Sequence, residues 1–189
     1  MTELERLRER FPDAARDIKL NLDAVLKTES LSAAQRWGIA VATAHASRNA
    51  ELTRALLEQA RREVEPAVLD DALAAASLMA MNNVYYRFRH LIGKASYSER
   101  PARLRMNRLV KPATNKLDFE LFSLAVSAVN ACETCLKSHE AVVLAGGMTE
   151  DQVHDAVRIA ATVHAAAVAL EAAELASQPL AEGAAGVVS

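Results

Sequence analysis

Apolar and charged residues recur at helical spacing along almost the whole chain, and this periodicity constrains the fold more than any other feature. No segment shows the sustained two-residue alternation, bounded by hairpin turns, that marks a β-strand. Six glycines and five prolines are few for 189 residues, and 51% of the residues are hydrophobic, which suits a helical globular protein. The sequence therefore predicts an all-α fold, a compact domain of about eight helices.

The helices are predicted from this spacing, with an error of about two to four residues at each boundary. They cover Thr2 to Arg10, Pro12 to Lys27, Ser32 to Arg48, Ala50 to Arg62, Pro66 to Leu91, Lys116 to Val129, Ala131 to Ala145 and Glu150 to Ala176. Ser30 or Ser32 is the expected N-cap of the third helix, and Pro66 suits a first helical turn. Gly146-Gly147 is the expected left-handed stop of the seventh helix.

An internal repeat is visible when the two halves of the chain are offset by about 85 residues. The segment Gly38 to Ala44 then lies over Ser123 to Val129. We therefore expect two related helical units that bury each other's apolar faces. Ser47 and Ala50 lie over the two cysteines in this alignment, so only the second unit carries thiols.

The expected layout is one domain over residues 1–176, with the repeated units at about 30–92 and 115–176. Ser96 to Thr114, which contains two prolines, is predicted to be a connecting loop with at most a short helix, and residues 177–189 a flexible tail.

The charge distribution argues against several classes of function. A formal charge of −2 and a pI near 6.2 provide no general basic surface for nucleic acid. Met1 to Arg10 lacks the apolar segment of a secretory signal, so we expect a cytoplasmic protein. The longest apolar stretch, Ile159 to Leu170, is interrupted by His164 and is too short to cross a bilayer of roughly 30 Å. No membrane anchor is expected.

Cys132 and Cys135 are the only cysteines in the chain. A structural disulfide between such near neighbours closes a very small loop and removes little entropy from the unfolded chain. Redox or metal chemistry is therefore the better reason for the pair.

The residues around the cysteines predict a helix start. Asn130 is a favourable N-cap, and Glu133 has the spacing to complete a capping box with it. Cys132 would then lie in the first turn, where the helix dipole and free amide groups favour a thiolate. At about 100° per residue, Cys132, Cys135 and His139 fall within roughly 60° of one helix face. This face would combine two thiols and a base.

The spacing of the cysteines is also compatible with two roles outside redox catalysis. They could be small buried hydrophobic residues, or they and His139 could supply three ligands of a zinc site whose fourth ligand lies elsewhere. Covalent c-type haem is excluded, because Leu136 stands where that motif requires His.

The segment from Glu120 to His139, with the sequence ELFSLAVSAVNACETCLKSH, closely resembles the AhpD family of alkyl hydroperoxide reductases, within the wider carboxymuconolactone-decarboxylase-like group. The resemblance extends over nearly the whole chain. It implies an antioxidant dithiol peroxidase that forms homotrimers and binds no cofactor tightly. It also implies that the dihydrolipoyl group of a carrier protein is the reductant and that a peroxiredoxin is a partner.

The resemblance also implies residue roles. Cys135 would become the sulfenic acid, Cys132 would be the proton donor and resolving thiol, and the two would form the redox disulfide. His139 and Glu120 would relay the proton. Family members commonly have a second His between the cysteines, where this chain has Thr134.

Glu120 requires a break in the chain to take part. Twelve residues of continuous helix would place it about 18 Å from Cys132. The predicted cap at Asn130 would provide that break.

Two alternative functions remain. The chain could be a disulfide reductase or adaptor for a peroxiredoxin with little peroxidase activity of its own, or a non-catalytic helical protein with a thiol pair or zinc site. His90 and four of the aromatic residues are expected in the core or at a subunit interface; these four are Trp37, Tyr85, Tyr86 and Phe88. Six arginines between Arg87 and Arg108 would form either a solvated loop or a dock for an acidic carrier protein.

Overall fold

The computed structural model describes residues 1–177, so the predicted tail lies outside the described residues except for Ser177. Residues 1–177 contain ten α-helices, one 3-10 turn and no strand, which confirms the all-α prediction. The helices are α1 (Glu3–Glu9), α2 (Arg16–Val25), α3 (Ala33–Ala46), α4 (Ala50–Ala60), α5 (Pro66–Ile92), α6 (Ala95–Ser98), α7 (Asn107–Val110), α8 (Lys116–Val129), α9 (Glu133–Ala145) and α10 (Glu150–Ser177).

Seven of the eight predicted helices agree with the structure to within two residues at each end. The exception is the prediction from Pro12 to Lys27, which is wrong in its first turn. Asp13–Ala15 forms a separate 3-10 turn, and Ala15 leaves the helical conformation with φ −107° and ψ 20° before α2 begins. The predicted loop from Ser96 to Thr114 includes α7 and the end of α6, each of four residues.

Helices α3 and α8 form the centre of the core. Every residue from Trp37 to Ala44 and from Phe119 to Ser127 is buried, and the two helices contact each other as well as α5 and α10. Gly38 allows the close approach, because a Cβ atom at this position would overlap the Phe122 ring. The result is that α8, which carries Glu120, is fixed in the middle of the molecule.

The two halves of the chain have similar helices in the same order. Helices α3, α4 and α5 have 14, 11 and 27 residues, and α8, α9 and α10 have 14, 13 and 28. The helix starts correspond at offsets of 83 or 84 residues, slightly less than the sequence alignment indicated. Asn49 rather than Ser47 thus stands opposite Cys132. That the two halves are related units stays a prediction.

Helix α10 is the one described helix that is long and apolar enough, by composition alone, to cross a membrane. Its buried residues recur every three or four positions and form a single stripe, which comprises Ala156, Ile159, Ala160, Val163, Ala166, Ala167 and Leu170. The stripe packs against α2, α3 and α8. One-sided burial of this kind is typical of a helix on a globular core.

Candidate active site

A tight turn joins α8 to α9 and positions the first cysteine. The backbone N–H of Cys132 donates to the carbonyl of Ser127 at 3.1 Å, and that of Ala131 donates to Ala128 at 3.1 Å. These two bonds are those of a Schellman motif, whose C′ residue takes the left-handed conformation. Ala131 takes it here, with φ 52°. The motif ends α8 and turns the chain so that α9 packs back along α8.

The prediction that Asn130 caps the cysteine helix is wrong. Asn130 is instead the C-cap of α8, and Cys132 is the N-cap of α9, which begins at Glu133. The Schellman turn explains the difference, because it requires three residues between the two helices where the prediction allowed one. Cys132 therefore lies just before the first turn of α9 rather than inside it, still beside its unpaired amide groups.

Glu133 does not complete a capping box with Asn130. Its carboxylate pairs with Lys137 at 2.5 Å and with His90 at 3.4 Å. The hydrogen bond from Lys137, then the charges of Lys137 and His90, lower the pKa of Glu133 below its ordinary value. His90 is about half exposed, so it lies at the surface beside α9 rather than in the core.

Cys132 and Cys135 form a disulfide, with 5.3 Å between their Cα atoms. Cys132 is fully buried and Cys135 is 6% exposed. No side-chain hydrogen bond caps α9 at Cys132. When the disulfide is reduced, a thiolate at this N-cap position would lie next to free amide donors and the positive end of the helix dipole.

His139, in the middle of α9, and Glu120, on α8, form a buried pair. Nδ1 of His139 lies 2.6 Å from Oε2 of Glu120, and the two residues are 7% and 5% exposed. Cys135 and His139 are one helical turn apart on α9, so they share a face. The chain reversal that Glu120 needs is thus present, although it is made by the turn at Ala131 rather than by a cap at Asn130.

Met79 of α5 completes the surroundings of His139, and nothing in the sequence pattern indicated this role. Its sulfur lies 3.3 Å from Nε2 of His139, and the residue is fully buried. Both ring nitrogens of His139 therefore have a neighbour within hydrogen-bonding distance.

Asn83 and Arg87, also on α5, hold the turn that precedes Cys132. Asn83 donates to Oγ of Ser127 at 2.9 Å and accepts from Nδ2 of Asn130 at 2.9 Å, and Arg87 donates to the carbonyl of Asn130 at 2.6 Å. Met79, Asn83 and Arg87 are spaced by four residues, so one face of α5 contacts both the histidine and the turn. Two adjacent asparagines within an apolar helix were the only sequence signal for this role.

The remaining predicted residues lie away from the cysteines or on the surface. Thr134 is exposed. Trp37 is in the core, whereas Phe88 is 43% exposed. Four of the six arginines have partners within the chain. Arg87 binds the turn, Arg89 donates to the carbonyl of Ser98 and lies over the rings of Tyr85 and Tyr86, Arg100 donates to the carbonyl of Ser96, and Arg108 pairs with Asp70 and Asp71. Arg103 and Arg105 are exposed. Within residues 1–177, no group of three His, Cys, Asp or Glu side chains is arranged to hold a metal ion.

Comparison with known proteins places this site in a family. The model of the carboxymuconolactone decarboxylase family matches residues 96–178. An alkyl hydroperoxide reductase AhpD of Anaeromyxobacter dehalogenans (strain 2CP-C) is 70% identical over 186 residues, which cover 98% of this chain and all of the relative. The AhpD of Rhodospirillum centenum is 50% identical over 169 residues, 89% of this chain and 91% of the relative. The chain therefore belongs to the AhpD family, within the carboxymuconolactone-decarboxylase-like group.

Proposed function

We propose that this chain reduces alkyl hydroperoxides to alcohols and water with the Cys132–Cys135 pair, and that a dihydrolipoyl group on a carrier protein restores the two thiols. The observation that carries the proposal is the disulfide at the start of α9, with the buried His139–Glu120 pair one turn further along. Relatives at 50% and 70% identity are named alkyl hydroperoxide reductases, which favours this reaction class.

Cys135 is the proposed peroxide-reactive thiol. It retains some exposure while Cys132 has none, and it is one helical turn from His139, within reach of proton exchange directly or through one water. The resemblance to the family assigns it the same role. Cys132, at the N-cap, is the proposed proton donor and resolving thiol, because the adjacent amide groups stabilise its thiolate once the proton has left.

The proposed oxidation proceeds in three steps. The Cys135 thiol passes its proton to the His139–Glu120 pair, and the thiolate attacks the distal peroxide oxygen, so that the O–O bond breaks and a sulfenic acid forms. The alkoxide takes the Cys132 proton and leaves as the alcohol. The Cys132 thiolate then attacks the Cys135 sulfur and expels hydroxide, which takes a proton from solvent and leaves as water. The proton from Cys135 stays on the His139–Glu120 pair. Both thiol protons are thereby accounted for.

The burial of the two sulfurs favours a slender reductant. Cys132 is 0% and Cys135 6% exposed, so the pair is poorly accessible to a flat protein surface, whereas a dithiol on a long flexible arm can enter. The dihydrolipoyl group has this form, and it supplies the two electrons and two protons that reduction of a disulfide requires.

We also propose that the chain forms homotrimers and transfers electrons to a peroxiredoxin. The C-terminal part of α5 supports an oligomer, because it exposes a group of large apolar residues, which comprises Val84, Phe88, Leu91 and Ile92; exposed patches of this kind often mark protein interfaces. The proposal includes a cytoplasmic location, where a reducing environment lets a thiol pair cycle.

Anaerobic reduction of the oxidised protein tests the proposal. Dihydrolipoamide should reduce the disulfide much faster than reduced thioredoxin or glutathione does, as measured by thiol release, and the reduced protein should consume an alkyl hydroperoxide. Fast reduction without hydroperoxide consumption, followed by transfer of electrons to an added peroxiredoxin, would instead identify a disulfide reductase or adaptor. Stoichiometric zinc in the reduced protein would contradict both, because bound zinc blocks rapid thiol cycling.

A further inference from the structure

The two ring nitrogens of His139 face different chemical groups. Nδ1 faces a carboxylate oxygen of Glu120 at 2.6 Å, and Nε2 faces the thioether sulfur of Met79 at 3.3 Å. The same sulfur has Nδ2 of Asn83 as a second neighbour, at 3.8 Å. Met79 is fully buried and Asn83 is 1% exposed, so α5 fixes the sulfur from behind.

The thioether determines which nitrogen carries a proton. A thioether sulfur has no hydrogen and acts only as a weak acceptor. An unprotonated Nε2 would direct its lone pair at the sulfur lone pairs, which is repulsive. A protonated Nε2 donates to the sulfur, as Nδ2 of Asn83 also does.

The Glu120 carboxylate accounts for the other nitrogen. With Nε2 protonated, one further proton lies between Nδ1 and Oε2, whichever atom holds it, and the His139–Glu120 pair is then neutral in total. A neutral pair is far cheaper to bury than one with a net charge, and these two residues are 7% and 5% exposed.

We propose that Met79 is a positioning residue, which holds the His139 ring with a protonated Nε2 while the cysteines are in the disulfide state. The inference rests on the proposed function and extends it to the reductive half of the cycle. His139 then serves as the acid that protonates Cys135 when the disulfide is opened.

The reductive steps conserve protons and electrons. One dihydrolipoyl thiolate attacks the Cys135 sulfur, the Cys132–Cys135 bond breaks, and the Cys132 thiolate leaves toward the free amides of α9. The second dihydrolipoyl thiolate attacks the first lipoyl sulfur, which closes the lipoyl disulfide and breaks its bond to Cys135. The released Cys135 thiolate takes the Nε2 proton of His139, one lipoyl proton protonates Cys132, and the other passes to solvent, so that the His139–Glu120 pair can again accept a proton from Cys135.

A weak acceptor suits this task. A carboxylate or amide oxygen next to Nε2 would form a strong hydrogen bond and would hold the proton against transfer. A thioether orients the N–H group but holds it weakly, so the proton remains available to the thiolate.

The test compares two Met→Leu variants on α5. Met79→Leu keeps the side chain apolar and of similar volume, which usually costs little stability, but removes the acceptor. Met81→Leu makes the same chemical change two residues along, at a half-buried position on the opposite side of the helix. Side-chain ¹⁵N NMR of histidine-labelled protein in the disulfide state reports which nitrogen is protonated, and His139→Gln assigns the His139 signals among the five histidines.

In wild type and in Met81→Leu, Nε2 of His139 should resonate as a protonated nitrogen. In Met79→Leu the Nε2 signal should move toward the unprotonated region. The kcat for turnover with dihydrolipoamide should fall about tenfold, with KM nearly unchanged. This loss is part of the roughly 10²- to 10⁴-fold rate enhancement that a positioned acid–base group supplies. A Met79→Leu protein with wild-type ¹⁵N shifts and kcat would overturn the inference. The NMR result needs no turnover, so failure of the proposed function would leave it readable.

Discussion

Nδ1 of His139 lies 2.6 Å from Oε2 of Glu120, although 19 residues separate them along the chain. The contact depends on the left-handed residue Ala131, which reverses the chain between α8 and α9. It also depends on the packing of α8 in the middle of the core, which leaves Glu120 only 5% exposed. A carboxylate held in this way fixes the ring orientation of the histidine.

Glu120→Gln should therefore lower kcat for hydroperoxide reduction by about 10²-fold, because the amide keeps the shape of the side chain but cannot accept the relayed proton. Steady-state turnover with dihydrolipoamide measures the effect. Glu140→Gln is the matched control, since Glu140 is exposed on α9 next to His139, and its kcat should equal that of wild type. Equal losses in both variants would show that the effect is general electrostatics rather than a relay.

The roles of the two thiols are tested by trapping the sulfenic acid with a specific probe after treatment with hydroperoxide. Cys132→Ser should accumulate labelled Cys135, because the resolving thiol is gone, and Cys135→Ser should give little label. The reasons are the residual exposure of Cys135 and its spacing from His139. The N-cap position of Cys132 argues the opposite way, so label that persists in Cys135→Ser and vanishes in Cys132→Ser would reverse the assignment.

Ala131 should be one of the few positions where glycine stabilises this protein. Its φ of 52° is strained for a residue with a Cβ atom, by about 1 kcal/mol, and glycine recovers most of this at some cost in unfolded-state entropy. Ala131→Gly should raise the free energy of unfolding by about 0.5 kcal/mol, as measured by urea denaturation.

Ala128→Gly is the comparison for this substitution, because Ala128 lies inside α8, where glycine should cost about 1 kcal/mol. Ala131→Val should destabilise by about 1–2 kcal/mol, since a β-branched side chain fits the left-handed region poorly. Equal destabilisation by the two glycine variants would contradict the strain at Ala131.

The helices were largely predictable from the sequence, because apolar spacing and end signals are local. The cap at Ser32 and the left-handed Gly147 are both present where the sequence indicated them. The turn before Cys132 was not predictable in the same way. Asn is a common N-cap residue, so Asn130 was expected to cap a helix. Nothing in the sequence indicates that Ala131 takes the left-handed conformation.

Residue spacing alone predicted only the part of the site that lies along α9. The 3.6-residue period placed Cys132, Cys135 and His139 together, and the family resemblance added Glu120. Met79 and Asn83 come from a helix about 50 residues earlier, and their contacts exist only because α5 packs against both α8 and α9. Such contacts are set by tertiary packing, and the spacing of apolar residues along the sequence does not reveal them.

The neighbouring asparagines of α5 should respond very differently to alanine. Asn83 makes hydrogen bonds to Ser127 and Asn130, so Asn83→Ala leaves two polar groups without partners and should cost about 2–3 kcal/mol. Asn82 is also buried, but within residues 1–177 its Oδ1 finds no hydrogen-bond partner. Asn82→Ala removes the same side-chain volume. It should lower the free energy of unfolding by about 1 kcal/mol or more less than Asn83→Ala does.

Urea denaturation of both variants measures this difference, and the rate of disulfide reduction by dihydrolipoamide adds a functional readout. Asn83→Ala should also slow that reduction, because the turn that presents Cys132 loses two of its three hydrogen bonds to α5. Similar stability and reduction rates in the two variants would mean that the bonds of Asn83 do not hold the turn.

Asp71 and Asp155 are the sixth residues of the long helices α5 and α10. Asp71 binds the segment that leads into α8, and Asp155 binds the segment that leads into α3. Asp71 accepts from the backbone and the hydroxyl of Thr114, ahead of α8. Asp155 accepts from the hydroxyls of Thr28 and Ser30 at 2.6 and 2.5 Å, ahead of α3. These carboxylates fix the entry of the two core helices.

The charge of Asp155 should contribute to stability in a pH-dependent way. The hydrogen bonds from Ser30 and Thr28, and then the contact with Arg158, lower the pKa of Asp155 from 3.8 to about 2. Because the folded-state pKa is the lower one, the stabilisation is complete above the unfolded-state value and is lost as the pH falls from about 4.5 toward 2. A difference of this size corresponds to about 2 kcal/mol at pH 7.

Asp155→Asn should therefore destabilise the protein by about 2 kcal/mol at pH 7 and by about half of that at pH 3, because wild type loses part of its advantage as Asp155 becomes protonated. Urea denaturation at pH 7, 5 and 3 measures the trend. Asp151→Asn is the control, because Asp151 is exposed one turn earlier on α10 and its substitution should change stability by less than about 0.5 kcal/mol. A loss in Asp155→Asn that does not vary with pH would show that hydrogen-bond geometry, and not the carboxylate charge, holds the segment before α3.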